Sequence, residues 1–179
     1  ALDKSPDNKW YHLLLGDLYF ESAELSLAEK EYRSIIELSA DEHDSYFKLA
    51  NVLLQQEKPQ KAIDVYNQLE KQIGINEELS IQKQRIYFLM GKDDKAMGEM
   101  KKLTEQYPKN MDYLAMLASY YVEIGEKDKA VEMFEKMTLI DPNNGILHMQ
   151  LSEYYASINK EKESFDAMKL AFKSDEIGI

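Results

Sequence analysis

Apolar positions recur along this chain in short runs at helical spacing, broken at regular intervals by small or turn-forming residues. Leu117 to Pro142 shows the pattern most plainly, with one amphipathic run, a break at Gly125, a second run and a stop at Pro142. Shifting the frame by 34 residues in either direction brings the pattern back. A period of that size marks an architecture in which each unit hides its apolar face only against its neighbours. The predicted elements are five helix pairs, in repeats 9–42, 43–76, 77–110, 111–144 and 145–179, with no insertion between them. Residues 1–8 read as the tail of a preceding repeat.

Numbering each repeat from 1 to 34 exposes an interlocking scheme. Repeat position 20 is small (Ala28, Ala62, Ala96, Ala130, Ser164), and position 8 on the first helix faces it (Gly16, Ala50, Gln84, Ala118, Ser152). Position 24 is large (Tyr32, Tyr66, Met100, Phe134, Met168), as is position 11 (Tyr19, Leu53, Tyr87, Tyr121, Tyr155). Small opposite large is how facing helices reach native packing density. Between the helices, at position 15, Gly91, Gly125 and Asn159 suit a left-handed turn. Ala23 and Glu57 do not, so the first two turns are expected to be built differently. Pro59 falls at a helix start, where its missing N–H costs nothing. Pro108 and Pro142 close their repeats.

The spacing, the small–large pattern and the closing prolines resemble the tetratricopeptide repeat family over nearly the whole chain. Repeat four carries the resemblance best, through Leu117, Ala118, Tyr121, Gly125, Ala130, Phe134 and Pro142. Repeat three departs most, with Lys83 and Gln84 where leucine and a small residue are usual. Repeat five has Ser164 for alanine and Glu176 for proline. The resemblance implies an all-α fold, a right-handed α-solenoid of antiparallel helix pairs with an extended concave face. Ala1, Leu2 and Pro6 fit positions 27, 28 and 32 of an earlier repeat, and the last helix carries Phe165, Met168, Ala171 and Phe172 with nothing after it. A segment of a longer array is expected, or self-association through uncapped ends.

Composition narrows the chemistry. The chain is 44% hydrophobic and 31% charged, a globular balance, and no apolar run approaches the ~20 residues of a membrane span. A net charge of -11 argues against nucleic acid, which needs a positive surface. The absence of cysteine removes disulfides and thiolate metal sites and leaves cytoplasm and bacterial periplasm or envelope equally compatible. His12 and His148 share core-facing position 4, and His43 faces solvent, so no histidine cluster for a metal is expected. Asp93–Asp94, Glu77–Glu78 and Asp128 sit at predicted helix starts, where negative charge is favoured by about 0.3–1 kcal/mol. No phosphate loop, nucleophile elbow or zinc motif occurs. The reading is therefore neither an enzyme nor a cofactor carrier. Met100, Met137 and Met168 fall on core positions of second helices.

In the resembling family the concave face is lined by first-helix positions 2, 5, 9, 12 and 13. Carried onto this sequence, the groove candidates are Trp10, Leu13, Asp17 and Phe20 from repeat one, and Asp44, Phe47, Asn51 and Leu54 from repeat two. Repeat three supplies Glu78, Ile81, Arg85 and Phe88, repeat four Asp112, Ser119 and Glu123, and repeat five Met149 and Glu153. The result is an apolar floor with an acidic rim. The cations with which chaperone-adaptor members grip a terminal carboxylate are replaced by Leu13, Phe47 and Glu78, so a carboxylate clamp is not expected.

The function expected is a non-catalytic protein-interaction scaffold. Its partner would be a protein or peptide segment with apolar anchors and neutral-to-basic charge, without nucleic acid or membrane insertion. The alternatives are a regulatory arm of a larger enzyme or signalling chain, and a structural spacer in a cell-envelope assembly.

Overall fold

The computed structural model describes residues 8–174, so the expectations on Ala1, Leu2, Pro6 and Glu176 lie outside the described residues. Ten helices follow one another: α1 Lys9–Glu21, α2 Leu25–Leu38, α3 His43–Gln55, α4 Pro59–Ile73, α5 Glu77–Leu89, α6 Asp93–Gln106, α7 Met111–Glu123, α8 Lys127–Ile140, α9 Gly145–Ser157 and α10 Glu161–Lys173. No strand occurs among the described residues.

Two compact bodies divide the chain, Ala1–Lys92 and Asp93–Ile179. In the first, α1 packs on α2, α2 on α3, α3 on α4 and α4 on α5. In the second, α6 packs on α7, α7 on α8, α8 on α9 and α9 on α10. Ala28, Ala62, Ala96 and Ala130 are wholly buried, as the interlocking scheme requires. A Cβ added to Gly16 would come within 2.7 Å of the Tyr32 ring, so glycine there is what lets α1 and α2 close. In repeat five the Ser152 hydroxyl donates to the Ser164 carbonyl at 2.8 Å, fastening the same contact with a polar bond.

Local chemistry explains where the helices start. Asn8, Asn76, Asn110 and Asn144 stand one residue before α1, α5, α7 and α9, and each side chain accepts from a first-turn backbone N–H. Glu77, Glu78, Asp93, Asp94 and Asp128 lie in first turns, and Pro59 opens α4.

The turns correct one expectation. Ala23 and Glu57 adopt φ of 59° and 58°, the same left-handed conformation as Gly91, Gly125 and Asn159. Each of these five turns closes with the same pair of bonds. The N–H after the left-handed residue reaches five residues back, as from Glu24 to Tyr19 and from Glu126 to Tyr121, both at 2.8 Å. Packing of each helix pair overrides the local preference of alanine and glutamate. Met168 is a second correction. Its counterparts Tyr32, Tyr66, Met100 and Phe134 are buried, whereas Met168 is 45% exposed, since no described helix follows α10.

Lys83, the residue that departs most from the pattern, is fully buried, and its ammonium donates to Glu70 Oε1 at 2.7 Å. A cation can occupy a core position when a carboxylate on the preceding helix meets it.

Candidate functional site

The first helices carry the predicted residues. In the N-terminal body, α1 places Trp10 in solvent and leaves Leu13, Asp17 and Phe20 half-buried. On α3, Asp44 and Asn51 are exposed while Phe47 and Leu54 are half-buried; on α5, Glu78, Arg85 and Phe88 are exposed and Ile81 half-buried. In the C-terminal body, Asp112, Ser119, Glu123, Met149 and Glu153 are all exposed on α7 and α9. None of them is fully buried, but the apolar Leu13, Phe20, Phe47, Leu54 and Ile81 are each half-buried. Helical periodicity separates them from positions 4 and 8 of the same helices, where His12, Gly16, Tyr46, Ala50, Leu114, Ala118, His148 and Ser152 are buried.

Contacts around these residues add what the sequence pattern omits. Asp17 Oδ1 accepts from the Tyr32 hydroxyl at 2.6 Å and from the Lys48 ammonium at 2.7 Å. Burial pushes the Asp17 carboxyl up, but those two donors hold it, on balance, below the usual carboxylate range. Tyr32 is raised in turn, by burial first and then by Asp17, Asp44 and Glu21. The rim at Asp17 is thus already paired, and Lys48 is a cation that the groove positions alone do not reveal. The Phe47 ring lies 5.4 Å from that of Tyr66, fixing its orientation. Burial, and then the Glu78 charge, pushes Tyr66 up to about 12. On α7 the Ser119 hydroxyl turns back to the Ala115 carbonyl at 2.9 Å.

Among the described residues no group of three or more His, Asp or Glu side chains is placed to hold a metal. No described helix is long and apolar enough to cross a membrane. His12 and His148 are both buried, as their register predicts, and His43 is exposed.

Among the described residues, ten helices at a fixed period, with recurrent left-handed turns and buried small residues at the interlocking positions, define an all-α repeat protein of the solenoid class. The chain belongs to the tetratricopeptide repeat family, whose sequence models match residues 1–74, 85–110 and 112–144. Solved structures with the same fold include that of MamA protein, 18% identical, covering 94% of this chain and 92% of that one with a TM-score of 0.52. Another is YrrB, described as a TPR protein with an unusual peptide-binding site, 15% identical, covering 99% and 91% with a TM-score of 0.52. No curated protein matches the sequence.

Proposed function

We propose that the chain is a non-catalytic interaction scaffold that holds a protein or peptide segment against its first-helix faces. The observation that carries this reading is the exposed apolar set on α1, α3 and α5. Trp10 is 64% and Phe88 46% exposed, beside half-buried Phe47 and Ile81, which is more apolar surface than an isolated helix face needs. Asp44 and Glu78 border it, and Arg85 adds a lone fork of donors on α5. The partner is expected to present apolar anchors flanked by neutral or basic residues. The likeness to YrrB, a TPR protein with an unusual peptide-binding site, supports the same class of ligand.

The test is partner capture from a native extract, read by quantitative mass spectrometry. Phe88→Ala, which disturbs no described ring contact, should deplete the captured set, and Asp44→Lys should deplete its basic members. Unchanged capture by both variants would remove the first-helix face as the binding surface. Self-association is a second reading. It is favoured by Leu14 and Leu18 on α1 and by Phe165 and Phe172 on α10, all more than half exposed. Sedimentation over a concentration series tests it, a constant monomer mass being the negative result.

A further inference from the structure

A pocket of about 360 Å³ opens in the C-terminal body on the side of the second helices, between α8 and α10 and floored by α9. None of the first-helix groove candidates lines it. His148 does, and the residue is only 6% exposed. Its Nε2 lies 2.8 Å from the Pro142 carbonyl, which only accepts, so Nε2 carries the hydrogen and donates. In the neutral ring Nδ1 is then an acceptor, and it is buried with no partner.

The repeat supplies its own comparison. His12 occupies the same position in repeat one, and its Nδ1 meets Glu31 Oε2 at 2.6 Å. The counterpart of Glu31 in repeat five is Ala167, which lines the pocket. The missing carboxylate leaves both the space and the unsatisfied nitrogen.

The rim changes character in step. Leu170 stands where the other repeats have Ser34, Gln68, Lys102 and Lys136, and Leu139 where they have Glu37, Lys71, Glu105 and Lys173. Glu163 stands where the other repeats have Leu27, Lys61, Lys95 and Lys129, and Glu135 where they have Arg33, Asn67, Lys101 and Lys169. Architecture alone does not ask for leucine at these positions, because the other repeats manage without it. Glu135 accepts from the Tyr155 hydroxyl at 2.5 Å and Asp166 pairs with Lys169 at 3.1 Å, while no cation lines the pocket.

We infer that this pocket binds an arginine side chain of a partner polypeptide, its stem along Leu139 and Leu170 and its guanidinium among Glu135, Glu163 and His148 Nδ1. A buried acceptor requires a donor, carboxylates require a positive charge, and the leucines require an apolar stem. Arginine combines all three, and its fork of N–H groups serves an imidazole and a carboxylate at once.

The experiment titrates the ¹⁵N-labelled full chain with the capped tripeptide acetyl-Leu-Arg-Leu-amide, and with versions carrying lysine or citrulline in place of arginine. With the arginine peptide, the His148 Nδ1 resonance should move toward the hydrogen-bonded position, together with α8–α10 amides. Citrulline, which keeps the shape and loses the charge, should bind about tenfold or more weaker. Glu163→Lys should do the same, and Ala167→Glu, which recreates the His12–Glu31 pair, should abolish binding. An unmoved His148 resonance, equal binding of citrulline, or undiminished binding by Ala167→Glu would overturn the inference. Equal binding of the lysine peptide would overturn the assignment to arginine. Should Ala167→Glu not fold, the exposed Glu163→Lys variant decides.

Discussion

Ala23 and Glu57 hold a backbone conformation that suits glycine, and replacing them should strengthen the fold. Their φ values of 59° and 58° lie in the left-handed region, which costs a residue with a Cβ about 1–2 kcal/mol. Both side chains are exposed. At the equivalent Gly91 and Gly125 an added Cβ would meet no atom within 4 Å, so removing one at 23 or 57 forfeits no packing. Against the relief stands the greater freedom that glycine gives the unfolded chain, about 0.5–1 kcal/mol. The balance predicts that Ala23→Gly and Glu57→Gly each stabilise by about 0.5–1 kcal/mol. The two sites lie in different repeats, so the effects should add. Urea unfolding followed by circular dichroism measures this as a higher midpoint at constant slope. Gly125→Ala is the reverse experiment and should cost about 1 kcal/mol. If Gly125→Ala destabilises while Ala23→Gly and Glu57→Gly do nothing, strain at these turns is not what the dihedral angles imply.

Three further outcomes follow from contacts already described. Glu70→Ala should destabilise by about 1–3 kcal/mol by removing the carboxylate that meets the buried Lys83 ammonium, whose nitrogen keeps Asn67 Oδ1 at 3.4 Å, whereas Lys83→Met should be nearly neutral; urea midpoints of the two variants separate them. Gly16→Ala drives a Cβ against Tyr32 and should cost about 1–3 kcal/mol, with a change in near-ultraviolet circular dichroism as the ring moves. Tyr66 binds its proton more tightly folded, up to about 12, than unfolded, near 10. Its contribution to stability is therefore complete below about pH 10 and lost as pH rises from there toward 12. Tyr66→Phe should flatten that part of the alkaline unfolding profile, and an unchanged profile would contradict the shift.

Helix periodicity carried most of the architecture because burial in a repeat protein is a local affair. Positions 8, 20 and 24 meet within a repeat or between adjacent ones, so composition at a fixed interval reports them directly. The same register keeps the first-helix candidates from full burial, with Leu13, Asp17, Phe20, Phe47, Leu54 and Ile81 half-buried. The turn at Ala23 and Glu57 was not legible from residue preference, since the pairing of two helices outweighs about a kilocalorie of strain. The Asp17–Lys48 and Glu70–Lys83 pairs join residues on different helices and leave no periodic trace. The asparagine caps at Asn8, Asn76, Asn110 and Asn144 recur one residue before each first helix but that of repeat two, where Glu42 stands, a regularity that the apolar pattern does not report. The pocket at His148 differs from the site at His12 by Ala167 in place of a glutamate, a difference that shows only when the two repeats are compared.

That last point reaches beyond the pocket. One polypeptide carries the two arrangements together, at His12 with Glu31 and at His148 with Ala167. Each serves as the natural reference for the other under identical solvent, temperature and ionic conditions. A single spectrum of this chain therefore contains both an imidazole paired at Nδ1 and one unpaired there.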